Sequence, residues 1–174
     1  MKKLMIQSLV LGCAMGVVSV AAHAQSSADK SFVKDAAEGG MAEVQLGKLA
    51  EQKATNPDVK AFGHKMVVDH TRLNEKMKPV AEKMGVSLPS SPSMAQKAMY
   101  EDLKMKSGAN FDKAYIEAMV KDHHKDLNDF TNEYNSTQYM PLKNTVGEGR
   151  TVIKQHTEMV DSLAKKMNIS VPNS

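Results

Sequence analysis

Met119-Val120-Lys121-Asp122-His123-His124-Lys125-Asp126-Leu127 is wording that this chain uses twice, since Met66-Val67-Val68-Asp69-His70 anticipates it. Both stretches lie in long segments whose apolar residues return every three or four positions, the mark of an amphipathic helix. In each segment one histidine, His70 or His123, falls on the apolar stripe, while His124 is turned off it by about a third of a turn. A histidine on a buried face needs a polar partner. The two copies suggest a duplicated helical hairpin with a polar or metal-holding centre inside a helix bundle.

The flanking sequence supplies the other helices. The segment from Lys30 to Ala54 places Phe32, Val33, Ala36, Gly40, Val44, Gly47 and Ala50 on one side, with Glu43 inside that stripe. Its glycines cost roughly 1 kcal/mol each against alanine. They fit close approach of a partner helix or room for large polar side chains. Thr55-Asn56-Pro57-Asp58 closes this helix and opens the next, with Asn56 as N-cap and Pro57 in the first turn. So short a connection predicts antiparallel neighbours.

The second helix runs to about Met84 with Gly85 as its C-cap. Its stripe contains Val59, Phe62, Met66, Leu73, Met77, Val80 and Met84, with His70 at the centre and His64 facing away. A Ser/Pro-rich linker leads to a shorter helix, Ser93 to Lys106, whose apolar face is drawn from Met94, Ala98, Met99 and Leu103. It reads as a connector running beside the bundle. Asn110 is placed to cap a fourth helix from Phe111 to Asn135. Pro141 opens a fifth that runs to Met167, with His156 in its stripe and Asn168 as a left-handed cap. Ala81-Glu82-Lys83-Met84-Gly85-Val86-Ser87-Leu88-Pro89 is echoed by Ala164-Lys165-Lys166-Met167-Asn168-Ile169-Ser170-Val171-Pro172, a second sign of duplication. The long connection between Gly85 and Asn110 favours a crossover over a simple up-down turn.

Four helices thus each carry one polar residue in an apolar stripe: Glu43, His70, His123 and His156. Counted along their helices, all four sit about 12 to 14 residues from the bundle end near Asn56. At roughly 1.5 Å per residue they should share one layer at mid-height. Three neutral imidazoles and a carboxylate suit one transition-metal ion, Fe, Mn, Zn or Cu. The competing expectation is a metal-free network in which each imidazole bonds a carboxylate or carbonyl. Asp69 and Asp122, one residue before the repeated histidines, are candidates for supporting carboxylates. Surface pairing, such as Asp69 with Lys65 or Arg72, is the more ordinary role for such edge residues. Met66, Met77, Met84, Met119, Met159 and Met167 read as flexible core filler rather than a copper site, because they do not form Met-x-Met runs.

Composition narrows the class. The 174 residues fit one domain with a substantial core, and 41% hydrophobic with 25% charged residues is an ordinary globular balance. Lys2 and Lys3, the apolar run Leu4 to Ala22, and Ala22-His23-Ala24 have the order of a signal peptide cleaved after Ala24. A lipid-modified Cys13 is a lesser alternative. Removal of residues 1–24 takes two positive charges, so the net charge of +3 becomes +1, and no basic excess argues for nucleic acid. It also removes the single cysteine, which excludes disulfides and thiolate metal sites in the remainder.

Phe32-Val33, Ala36-Ala37-Glu38-Gly39-Gly40-Met41-Ala42-Glu43, Met66-Val67-Val68-Asp69-His70-Thr71, Phe111-Asp112-Lys113-Ala114-Tyr115 with Asp122-His123, and His156 together resemble an exported bacterial family, domain of unknown function 4142, over about residues 31–167. The resemblance implies a ferritin-like bundle and export to the periplasm, with outer-membrane association open, and it carries no reaction. Di-iron ferritin-like proteins use Glu-x-x-His on two helices. Here Val67, Val120 and Ile153 stand three residues before the histidines, which argues against di-iron chemistry.

The expected protein is therefore all-α. Residues 25–174 form a ferritin-like four-helix bundle of two duplicated hairpins, joined by a crossover with a short extra helix. Its expected role is a non-catalytic metal- or ligand-binding, stress-related module. The alternatives are a mononuclear metal-dependent oxidoreductase and a structural interaction protein. No membrane span is expected after signal cleavage, and homo-oligomerisation is left open.

Overall fold

The computed structural model describes residues 25–172, so the expected signal peptide at 1–24 lies outside the described residues. Five helices follow in order: α1 (Ser27–Lys53), α2 (Pro57–Lys83), α3 (Met94–Lys104), α4 (Gly108–Ser136) and α5 (Met140–Lys166). Their ends follow local chemistry. Ser26 and Asp29 form a capping box at the start of α1, and Asn56 Oδ1 accepts from the Asp58 N–H at 2.8 Å. Gly85 and Asn168 adopt φ of 63° and 56°. After each, the chain closes alike: Val86 N–H donates to Ala81 O at 2.9 Å and Ile169 N–H to Ala164 O at 2.8 Å. The expected cap at Asn110 is not observed. Helix α4 begins earlier, with Ser107 as N-cap in extended backbone and Gly108, at the left-handed φ of 55° that glycine tolerates, as its first residue.

Contacts at the helix ends set the topology. The turn between α1 and α2 meets the start of α4 through Asp112, and the turn between α4 and α5 meets the start of α1 through Asp29. Helices α2 and α4 therefore run the same way, on opposite corners of the bundle, and the segment holding α3 must travel its full length. This is the crossover that the long connection implied. Helix α3 lies against α1 and α4. Among its residues only Leu103 is buried, and Met94 and Ala98 face solvent rather than the bundle. A connector needs only a narrow seam of contact.

The hairpins repeat in one register. The offset that carries Ala81 onto Ala164 also carries Pro57–Lys83 onto Met140–Lys166, Asp29 onto Asp112, and Glu43 onto Asp126. Under it α2 corresponds to α5, and α1 to α4. The Met-Val-x-Asp-His copies on α2 and α4 are thus not equivalent positions, although they first suggested the duplication; the echoed helix ends are.

The core divides into two clusters on either side of the mid-height layer. Phe62, Met66, Phe111, Tyr115, Ile116 and Met119 centre one, and Val33, Met77, Val80, Leu142 and Val146 the other. Leu46 and Leu49 are also buried, whereas Val44 is only half-buried, because α1 packs against three neighbours and its apolar face is wider than one stripe. Met159, expected inside, is 38% exposed.

Gly47 meets the partner helix as its composition implied. A Cβ at Gly63 would lie 2.7 Å from Ala50 Cβ and 2.9 Å from Gly47 O, closer than real contacts allow. Gly63→Ala is expected to cost about 1–3 kcal/mol through overpacking, despite the roughly 1 kcal/mol of helix propensity gained. Urea unfolding checks this, and a more stable variant would show that α1 and α2 separate freely. Gly40 answers the other expectation: the Asn74 amide fills its missing side-chain space.

At the Asp29 end, Thr137 Oγ1 donates to Asp29 Oδ2 at 3.2 Å, and Glu133 is buried beside it. Burial, then the Asp29 charge and a hydrogen bond to Asp29, raise the Glu133 carboxyl from 4.5 to about 7. The folded chain therefore holds a proton that the unfolded chain has released. Its contribution is complete below about pH 4.5 and is lost as pH rises through 7. Glu133→Gln is expected to remove a decline on the order of 2–3 kcal/mol across that window. Unfolding curves of parent and variant at several pH values measure it.

Candidate metal centre

Helices α1, α2, α4 and α5 bring Glu43, His70, His123 and His156 into one layer, with relative exposures of 2%, 2%, 0% and 0%. The imidazole centroids are 5.2 Å apart for His70 and His156, 5.6 Å for His123 and His156, and 6.0 Å for His70 and His123. One ring nitrogen from each histidine lies within 4.8 Å of the other two. Phe62 presents its ring edge-on to His123 and His156, both at 6.1 Å, and walls this side with apolar surface.

Hydrogen bonding assigns the ring nitrogens. His123 Nδ1 lies 3.0 Å from the Met119 carbonyl oxygen, which can only accept, so Nδ1 carries the hydrogen and Nε2 keeps its lone pair. His156 Nε2 lies 2.9 Å from Asp69 Oδ2 and donates to that carboxylate, leaving the Nδ1 lone pair inward. His70 Nε2 stands 3.3 Å from His156 Nδ1, and His70 Nδ1 is 2.7 Å from Glu43 Oε2. One consistent chain then runs inward: Glu43 O–H donates to His70 Nδ1, His70 Nε2–H to His156 Nδ1, and His156 Nε2–H to Asp69. Among the described residues, this leaves Glu43 Oε1 and His123 Nε2 buried without hydrogen-bond partners, 3.7 Å apart.

The electrostatics agree with neutral groups. Burial pushes the Glu43 carboxyl well above its ordinary range, with the Asp122 charge adding to the effect. Burial also lowers His70 to about 4, against the pull of Asp126 and Asp69. It lowers His156 to about 4 as well, with His70 reinforcing the shift and Asp69 opposing it. His123 falls well below 6.5 by burial and by the two neighbouring imidazoles. Neutral imidazoles are the form that binds a cation: His123 already presents a free Nε2 lone pair, and His70 presents one once its Nε2 proton leaves.

Asp69 does more than the surface pairing expected of it. It accepts from Lys65 at 2.9 Å and Arg72 at 3.3 Å, and it also holds His156. Burial alone would raise its carboxyl, but the hydrogen bonds from Lys65 and His156, with their charges, outweigh this and lower it. Among the described residues, Asp122 bonds no histidine. It stands with Glu43 and Asp126, one oxygen from each within 4.8 Å of the others. Sequence reasoning missed Asp126, although the hairpin register that pairs it with Glu43 could have found it. Burial raises Asp126 to about 8, with Glu43 and Asp122 adding to the shift, and burial likewise raises Asp122. A cavity of roughly 900 Å³, walled chiefly by α1 and α4, reaches Glu43, His70 and this acidic trio.

The fold and its centre define a ferritin-like helical bundle with an internal histidine and carboxylate cluster. The chain belongs to the family of domain of unknown function DUF4142, whose profile matches residues 16–163. No curated protein matches the sequence. Among solved structures, a candidate secreted protein of type DUF305 from Streptomyces coelicolor superposes with TM-score 0.71 at 11% identity, covering 86% of this chain and 97% of that one. The E. coli stress protein YciF superposes at 0.65 with 16% identity, covering 83% and 98%. A candidate spore coat protein from Bacillus halodurans C-125 superposes at 0.60 with 11% identity, covering 84% and 91%. These likenesses establish the helical-bundle fold. Among the described residues no helix is long and apolar enough to cross a membrane.

Proposed function

We propose that the protein is an exported, non-catalytic metal-holding module, acting in the periplasm after loss of residues 1–24. Its ligands are His70 Nε2, His123 Nε2 and His156 Nδ1, with Glu43 at their side. One observation carries the reading: the nitrogen of each imidazole that does not face the centre already has a partner. Glu43 takes His70 Nδ1, Met119 O takes His123 Nδ1, and Asp69 takes His156 Nε2. Metal-bound histidines are oriented by such outer hydrogen bonds to carboxylates and carbonyls. The orphaned His123 Nε2 supports the same reading, because a buried lone pair left empty costs on the order of 1–3 kcal/mol.

Three neutral imidazoles favour Zn, Cu or Fe among the candidate ions. Uptake moves the Glu43 proton onto His70 Nδ1 and expels the His70 Nε2 proton, so binding weakens as pH falls. Titration with Co²⁺, followed by its visible absorption, tests the site. The parent is expected to take up one equivalent, His123→Ala to take up none, and Glu43→Gln to bind roughly 10–100-fold more weakly. Equal uptake by all three proteins would refute the assignment and leave the metal-free network.

A further inference from the structure

Beside the imidazoles lies a second set of donors with different chemistry. Glu43, Asp122 and Asp126 each turn one carboxylate oxygen to within 4.8 Å of the others. The two aspartates sit one turn apart on α4 and share a face, and the cavity opens onto all three residues. Acidic clusters are common on surfaces, but this one has a member that a surface cluster lacks. Glu43 is 2% exposed, its Oε2 is committed to His70, and its Oε1 is buried with no partner among the described residues. The nearby cations offset the trio only in part: Lys125 Nζ bonds Asp129 at 2.7 Å and also pairs with Asp126 at 3.7 Å, and Lys121 lines the same cavity.

We propose that Glu43, Asp122 and Asp126 form a second cation site, for a hard divalent ion of the Mn²⁺, Mg²⁺ or Ca²⁺ class, entered from the cavity and sharing Glu43 with the imidazole centre. Oxygen-only donors select such ions over those that imidazole prefers, and these ions keep several waters, for which the cavity leaves room. The protein then presents a nitrogen site and an oxygen site joined by one carboxylate. This differs from a Glu-x-x-His arrangement because the aspartates stand one residue before and three after His123. The proposal stands on its own donors and does not require the imidazole site to bind metal.

Mn²⁺ is the probe, read by the loss of its free-ion paramagnetic resonance signal on adding the purified protein, with Co²⁺ absorption measured in parallel. The parent is expected to bind one equivalent of Mn²⁺, displaceable by Ca²⁺ or Mg²⁺. Asp122→Asn/Asp126→Asn should lose Mn²⁺ and keep Co²⁺ uptake, and His123→Leu should show the reverse. Asp126→Asn alone serves if the double variant does not fold. Failure of the parent to bind Mn²⁺, equal binding by the aspartate variants, or loss of Mn²⁺ in His123→Leu would overturn the proposal. Loss of Co²⁺ uptake in the parent would instead count against the imidazole site alone.

Discussion

His123→Leu is expected to abolish Zn²⁺ and Co²⁺ uptake at the imidazole centre while leaving the metal-free protein within about 1 kcal/mol of the parent. His123 is fully buried, and among the described residues its Nε2 has no partner and its Nδ1 bonds only a carbonyl of its own helix. An apolar side chain of similar volume removes the orphaned lone pair and keeps the packing against Phe62. With Zn²⁺ at about a thousand times its dissociation constant, the parent should gain about 4 kcal/mol and the variant nothing. Urea unfolding in chelator and in excess Zn²⁺ gives both numbers. A loss of more than about 3 kcal/mol in chelator would make His123 a structural residue.

The other large effect lies at the end of the bundle. Asp112, 3% exposed, accepts from Thr55 N–H at 3.1 Å, Thr55 Oγ1–H at 2.5 Å and Asn56 N–H at 2.9 Å, closing the α1–α2 turn from α4. Asp112→Ala strands three donors, each bond to a charged acceptor being worth about 1.5–3 kcal/mol before overlap is counted. The expected loss is roughly 3–5 kcal/mol, a fall of about 10 °C in Tm. Asp112→Asn, which keeps one acceptor oxygen, should lose about half as much. Thermal unfolding separates the two, and an unchanged Tm for the alanine variant would mean that the turn holds itself.

Periodicity and capping residues made most of the fold legible. The α2 start at Pro57, the left-handed closures at Gly85 and Asn168 and the crossover all follow from local rules that act over a few residues. Where expectation and structure part, a distant neighbour is responsible. Leu46 and Leu49 are buried because α1 has contacts on three sides, and Met159 is exposed because α5 has none there. Asp122 reads like Asp69 in sequence, each just before a histidine. Only packing turns one to a neighbouring imidazole and the other to Glu43 and Asp126.

From the chain alone came five helices, their order, their antiparallel pairing and the depth at which four polar residues interrupt apolar stripes. These depend on helix geometry, which is the same in any context. The direction of each imidazole nitrogen, the reach of Asp69 across to His156, the counterpart of Glu43 at Asp126 and the cavity leading to them required the assembled bundle. A hydrogen bond is made or lost within an ångström, and that scale is set by how four helices pack together rather than by the repeat along any one of them.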